Sequence, residues 1–306
     1  MPLVSMVELL AAARRGGYAI CYCESWSLES FQAVVESAEE LRSPIIVGFN
    51  GGFLMHPSRP KPENLAFYAG LAFALHKAAV PAAFILNETD SLEQIEQGIE
   101  MGFNAVMVDG DRLNFDAYRQ LVKQVVRMAH PRNVSVEAQI GRLPVGGLAT
   151  DPNAQVTDPS LAQRFVEDTG IDALSVSVGN IHVLTKGKAE IDLEALRRIS
   201  DVVKVPLVLH GGTGVPPEMA KEMIALGIAK VNIGTGLKQA YLAAVREKLA
   251  PYRESMPPHP FLGMGGPEDI LAAARDAVRN KVKGLLRAYG SADKACKEEP
   301  VISGGQ

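Results

Sequence analysis

Eight short apolar runs rich in β-branched residues recur along this chain, separated by segments of helical period, and few architectures accommodate that rhythm. The runs fall at residues 18–23, 44–48, 82–86, 104–108, 133–138, 173–178, 206–209 and 230–233. Helical patterns occupy the intervals, most clearly at 27–41, 92–101 and 192–199. Near-continuous apolar strands joined by helical crossovers describe a parallel sheet covered on both faces. Eight such units close most naturally into a single (β/α)8 TIM barrel, with a doubly wound open sheet as the alternative. Helix-start chemistry at Ser91 and at Asp158-Pro159-Ser160, and helix-ending glycines at Gly170 and Gly227, punctuate the same pattern. An extra N-terminal helix is expected over 7–15 and a C-terminal helical extension over 267–289. The expected domain plan is one barrel, 1–290, followed by a polar, frayed tail, 291–306.

The 306 residues carry a net charge of −4 and are 47% hydrophobic. A chain of this length buries a large core without help from disulfides. The balance of charge lacks the basic excess that nucleic-acid binding favours, so no nucleic-acid partner is expected. No apolar run approaches the ~20 residues that span a bilayer, and the first arginines follow the first apolar stretch rather than precede it. A cytoplasmic protein with no membrane association is expected. Three cysteines, Cys21, Cys23 and Cys296, leave no complete disulfide set and are read as reduced thiols.

In a barrel the loops after the strands build the active site. The strand ends here are polar throughout: Glu24, Asn50, Asn87 with Glu88, Asp109, Glu137 with Gln139, Asn180 with His182, His210 and Asn232. Any one of these is ordinarily a solvated loop residue; eight ends converging on one mouth point to a site. His182 and His210 follow consecutive strands, and neutral imidazole is the commonest transition-metal ligand. A divalent metal on His182 and His210, with carboxylates nearby, is therefore expected. The seventh strand is followed by His210-Gly211-Gly212-Thr213-Gly214 and the eighth by Asn232-Ile233-Gly234-Thr235-Gly236, the latter opening a helix. Glycines there let backbone N–H groups approach an anion at a helix N-terminus. Gly211, Gly212, Thr213, Asn232, Gly234 and Thr235 are the expected substrate- and phosphate-binding residues, although tight turns also need glycine.

Across nearly its whole length the sequence resembles the class II, metal-dependent fructose-bisphosphate and tagatose-bisphosphate aldolases. The resemblance is carried by Gly102-Phe103-Asn104-Ala105-Val106-Met107-Val108-Asp109 and Val134-Ser135-Val136-Glu137-Ala138. It continues in Gly179-Asn180-Ile181-His182, Leu209-His210-Gly211-Gly212-Thr213-Gly214, Lys230-Val231-Asn232-Ile233 and Tyr289-Gly290-Ser291-Ala292. It implies a divalent ion, zinc first with Mn or Fe as alternatives, that polarises the carbonyl of a ketose phosphate. It also implies a residue that exchanges a proton with the departing aldehyde's hydroxyl. A phosphorylated or anionic small-molecule substrate and a homo-oligomer follow from the same resemblance.

The departures from the family pattern fall on the chemistry. Where the family has His-Leu-Asp-His-Gly, this chain reads Ile85-Leu86-Asn87-Glu88-Thr89. Asn87 thus occupies the position of the proton-transferring Asp, and an amide exchanges no proton in the physiological range. Glu88 replaces a histidine ligand with an oxygen ligand. Gln139 replaces a second Glu, Val183 a phosphate-binding Gly, Glu24 an Asn, and Gly236 an Asp; a Glu-Asp-Gly loop is missing from 143–155. The net charge of the residues around the metal stays at minus one but moves onto a ligand, which suggests a repurposed site. The expected catalytic positions are Asn87, Glu24, Asp109 and Glu137, with Glu24, Asp109 or Asp90 taking over proton transfer. The expected function is an aldolase-type lyase with an altered acid/base group. The alternatives are another enolate-type metal enzyme, an isomerase or epimerase, and a non-catalytic binding subunit.

Overall fold

The computed structural model describes residues 3–146 and 154–295. Its strands are β1 (Ile20–Ser25), β2 (Ile45–Asn50), β3 (Ala82–Thr89), β4 (Ala105–Val108), β5 (Ser135–Ile140), β6 (Ala173–Val176), β7 (Leu207–Leu209) and β8 (Ile228–Ile233). All pair in parallel and in sequence order, and β8 closes on β1, giving the eight-stranded barrel. Twelve α-helices appear among the described residues. The first six are α1 (Met6–Gly16), α2 (Leu28–Glu40), α3 (Gly51–Leu54), α4 (Leu65–Ala69), α5 (Ala72–Leu75) and α6 (Leu92–Glu100). They continue as α7 (Phe115–Ala129), α8 (Pro159–Thr169), α9 (Leu193–Val202), α10 (Ala220–Ala225), α11 (Thr235–Leu249) and α12 (Ile270–Ala288).

Side chains two apart along a strand share a face. One set, including Cys21, Val47, Phe84, Val106, Val136 and Leu174, packs outward beneath the helices. The other set, Ile20, Ile46, Ala83, Ile85, Ala105, Ala173 and Val208, fills the barrel. Helix α1 joins that inner cluster through Met6, Leu9, Leu10 and Ala13, so it stoppers the N-terminal end of the barrel. Each leucine buried this way is worth ~1.5–3 kcal/mol. Asn104 pins the segment before α1, donating from Nδ2 to the Val4 carbonyl (2.9 Å).

Helix starts follow their caps: Ser91 accepts from Gln94 N (3.2 Å) and Asp158 from Leu161 N (2.8 Å). Gly170 ends α8 in the left-handed region at φ 71°. Three departures from the sequence pattern matter. The β2–β3 crossover is not one helix but the short α3, α4 and α5. Strands β1 and β3 run past their apolar cores, because a backbone ladder is indifferent to side-chain polarity. Glu24 pairs with Gly48, and Asn87 with Asn50, so both lie within strands rather than in loops. Finally, residues 291–295 of the expected frayed tail are docked. Ser43 Oγ donates to Ser291 Oγ (2.9 Å), and the Asp293 and Ala295 amides donate to the carbonyls of Leu41 and Arg42 (2.8 Å each). The rest of that tail, including Cys296, and 147–153 of the 143–155 loop lie outside the described residues.

No helix among the described residues is long and apolar enough to cross a membrane. Cys21 and Cys23 are free and buried. Burial pushes the Cys23 thiol up to about 12, and burial with the neighbouring Cys23 raises Cys21 as well.

Candidate active site

At the C-terminal mouth of the barrel lies a cavity of about 240 Å³. Glu24, Asn87, Glu88, His182 and His210 reach it from the ends of β1, β3, β6 and β7. Gly211, Thr213, Asn232, Gly234 and Thr235 complete the wall on the β7–β8 side. Ten of the thirteen positions singled out above therefore meet at one place.

The core of the site is a row of ionisable groups. Glu88 sits at the irregular end of β3 with φ 50°, a left-handed conformation unusual for a side-chain-bearing residue. That conformation aims its carboxylate across the mouth. Oε1 lies 3.1 Å from His210 Nδ1, and Oε2 lies 3.7 Å from His182 Nε2. Asn50 Nδ2 donates to Oε2 (2.6 Å), while the Asn50 carbonyl oxygen of the side chain caps α3. Burial works against the Glu88 charge, but the His210 bond and the two imidazoles bring its carboxyl down to about 2.

His210 is 2% exposed and has a carboxylate on each ring nitrogen. Nε2 faces Glu137 Oε1 at 2.8 Å, and the Asn232 carboxamide also reaches it at 2.8 Å. Burial disfavours a charged imidazole here, yet the bonds to Glu137 and Glu88 prevail and hold its pKa above the ordinary histidine value. Glu137 lies beneath the cavity rather than on its wall, wholly buried, with Lys230 Nζ donating to its Oε2 at 2.7 Å. Burial alone would raise the Glu137 carboxyl; Lys230 and His210 together lower it.

The loops that carry the histidines are tied to each other. Asn180 is fully buried; its Oδ1 accepts from Val178 N (2.8 Å) and its Nδ2 donates to the His210 carbonyl (3.0 Å). His182 N donates to the Pro144 carbonyl (2.8 Å). Gly211, at φ 68°, lies so close to Ile181 that a Cβ would stand 2.2 Å from its carbonyl oxygen. On the far side, the Gly236 amide donates to Thr213 Oγ1 (3.0 Å), joining the β7 and β8 loops at the start of α11.

Glu24 occupies the remaining wall. Lys238, from the first turns of α11, donates to Glu24 Oε1 (2.5 Å) and lies over the Phe53 ring, 4.5 Å from its centroid. Burial raises the Glu24 carboxyl above the usual glutamate value despite that lysine. Gly234 makes room for it: a Cβ there would meet Glu24 Oε2 at 2.2 Å.

Three expected residues stand apart. Asp109, just past β4, accepts from Asp111 N (3.0 Å) and lines a neighbouring cavity with Gln139 and Arg142. Gly212 packs against Val231, whose Cγ1 would lie 2.5 Å from an added Cβ, off the cavity wall. Glu137 supports His210 from below. Asp90, the other candidate for proton transfer, faces Arg112 at 3.8 Å and is half exposed. Conversely, sequence reading passed over Tyr22, Lys230 and Lys238, which line or underpin the cavity. The only sequence signal for Tyr22 and Lys230 was a polar or aromatic residue at an inward strand position, which needs the register to be seen, whereas Lys238 lies on α11.

As the side chains stand, no group of three or more His, Cys, Asp or Glu among the described residues is arranged to hold a metal ion. The donor chemistry of Glu88, His182 and His210 nevertheless suits one: an ionised carboxylate within 3.1 and 3.7 Å of two imidazoles.

The sequence profile described as "Fructose-bisphosphate aldolase class-II" matches residues 4–294. A fructose-bisphosphate aldolase of Geobacillus stearothermophilus is 36% identical over 300 residues, covering 97% of this chain and all of that protein. A probable fructose-bisphosphate aldolase of Bacillus subtilis is 35% identical over 96% of this chain and all of its own length. Among solved structures, the YdjI aldolase of Escherichia coli K12 superposes with a TM-score of 0.79 at 30% identity, covering 96% of this chain and 100% of that one.

Proposed function

Because the chain belongs to the class II fructose-bisphosphate aldolase family and is an aldolase-type carbon–carbon lyase, we propose that it cleaves a phosphorylated ketose-like substrate with Glu24, in place of the family Asp, as the proton-transfer group. The observation that carries this reading is the meeting of Glu24, Glu88, His182 and His210 on one cavity that the start of α11 also lines. Glu24 is the acid/base candidate that lines the cavity; Asp109 and Asp90 do not.

A divalent ion, zinc first with Mn or Fe as alternatives, would be held by Glu88, His182 and His210, where it would supply Lewis-acid polarisation of the substrate carbonyl. Glu137 would keep its bond to His210 Nε2 and so orient the ring, leaving Nδ1 for the metal side. The substrate phosphate would sit against the backbone N–H groups of Gly234 and Thr235 at the α11 N-terminus, beside Gly211. Thr213 Oγ1, already accepting from Gly236 N, keeps its own O–H free to donate there. Glu24 takes the proton from the hydroxyl on the carbon that becomes the aldehyde. The electrons of that O–H bond form the new C=O, and the carbon–carbon pair passes to the ketone fragment as an enediolate, whose carbon then takes the proton back from Glu24. That last transfer, run in reverse, is the one that isotope exchange reads. Burial raises the Glu24 pKa and brings it nearer that task.

The test combines metal analysis with isotope exchange. Purified protein should carry about one divalent ion per chain by the three-ligand reading, and His210→Ala should lose it. The wild type should wash tritium from dihydroxyacetone phosphate, and Glu24→Gln should slow that exchange by ~10²–10⁴-fold. The acid limb of the rate profile should lie above the ordinary glutamate pKa, activity falling as Glu24 becomes protonated. Metal-free protein with full activity would sink the reading. Tight metal binding without exchange would point instead to an isomerase or epimerase on the same scaffold. A homo-oligomer is also proposed, supported by the exposure of Phe67 and Phe73 at 76% and 68%; sedimentation equilibrium giving a monomer would refute it.

A further inference from the structure

Burying a hydroxyl without a hydrogen bond is costly, so a buried hydroxyl that lacks a partner on a cavity wall marks a place where a ligand atom belongs. Tyr22 meets that description. It lies on β1 in register with Asn232 of β8, is 1% exposed, and its hydroxyl has no partner among the described residues. The residue lines the active-site cavity, as does Asn87, whose Oδ1 is likewise buried and unpartnered. The ring is fixed: the Lys230 ammonium stands over it, 5.1 Å from the centroid, and strand pairing on both sides holds the backbone.

We propose that Tyr22 is a catalytic residue that donates a hydrogen bond from its phenolic O–H to the substrate carbonyl oxygen, while the Asn87 carboxamide oxygen accepts from the adjacent hydroxyl. The pair therefore recognises an α-hydroxy ketone unit, and this deepens the aldolase reading on which it rests. Tyr22 transfers no proton. Burial, with the charges of Glu24 and Glu88 adding to it, keeps the phenol protonated, so its O–H is there to donate. As electrons move onto the carbonyl oxygen the bond strengthens, so its contribution is greater in the transition state than in the ground state. Asn87 then has a role of its own at the position of the family's Asp: it no longer moves a proton but reads a hydroxyl.

Tyr22→Phe deletes the hydroxyl and leaves the ring. Because that hydroxyl bonds nothing in the protein, the variant should melt at or above the wild-type temperature. Isothermal titration of the metal-replete full-length chain with dihydroxyacetone phosphate should show binding weakened at least ~10-fold, and tritium exchange slowed ~10²-fold. Hydroxyacetone phosphate keeps the carbonyl but lacks the free hydroxyl. It should bind the wild type more weakly, yet lose the same factor in Tyr22→Phe. Equal affinity of variant and wild type overturns this inference alone, as does a lowered melting temperature, which would make the hydroxyl structural. An effect confined to dihydroxyacetone phosphate overturns the pairing of Tyr22 with the carbonyl. A wild type that binds neither ligand overturns the aldolase reading and this inference with it.

Discussion

Glu88, His210, Glu137 and Lys230 form a chain of contacts from the cavity wall into the barrel, at successive separations of 3.1, 2.8 and 2.7 Å. Glu137 and Lys230 have no solvent exposure, so neither charge can fall back on water. Removing one member of such a pair leaves the other uncompensated, which typically costs ~3–5 kcal/mol. Lys230→Met should therefore lower stability by about that amount in urea unfolding. Glu137→Leu combined with Lys230→Met should be milder than Lys230→Met alone; a fully additive double variant would refute the coupling. At this scale sequence reading found residues at strand ends that the fold brings together: His182, His210 and Glu88 line one cavity. It failed for Tyr22 and Lys230, because inside a strand an inward lysine or tyrosine looks like its outward neighbours until the register is known. It misplaced Asp109 for a related reason: β4 stops at Val108, and the next side chain turns to cap its own loop.

The elements show where local signals hold. Helix caps were readable because their chemistry is confined to four residues. Strand ends were not, since the β3 ladder continues to Thr89 after its apolar run stops at Leu86. One cap escaped notice. Asp269, 1% exposed, accepts from Leu271 N and Ala272 N at the start of α12 and from Gly263 N (2.7 Å) and Gly265 N (2.8 Å) of the preceding turn. Burial raises its pKa, but the four backbone donors outweigh burial and leave it lowered. A carboxyl depressed on folding adds stability that is complete above its unfolded pKa of ~3.9 and lost as the pH falls through the folded value. Asp269→Asn should thus lower stability at pH 7 by ~1–2 kcal/mol, and the gap from wild type should close as thermal melts are taken below pH 4. A gap that stays constant with pH would show that the charge is not what the turn uses. Gly211→Ala belongs at this scale too. Left-handed φ and the 2.2 Å approach to Ile181 O both oppose a Cβ, so the β6 and β7 loops should separate and dihydroxyacetone phosphate affinity fall with stability.

For the whole molecule, closure of the barrel was legible because a parallel sheet needs cover on both faces, and eight runs with helical intervals supply it. What the pattern left open was which end would be sealed. Helix α1 seals the N-terminal end with Met6, Leu9, Leu10 and Ala13, while Glu24, Glu88, His182 and His210 gather at the other. Stability and chemistry are therefore separated along the barrel axis, with Ile20, Ala83 and Ala105 packed between them. Leu10 tests that separation. It is fully buried, and its truncation leaves a void among inner-cluster residues that strand pairing prevents from collapsing. Leu10→Ala should cost ~2–5 kcal/mol in urea unfolding, with the slope unchanged. Its affinity for dihydroxyacetone phosphate at 25 °C should equal that of the wild type, because no residue of α1 lines the cavity. A loss of affinity in step with the loss of stability would mean that the inner layers transmit strain from one end to the other, and the barrel would then be one mechanical unit rather than a sealed base carrying an independent mouth.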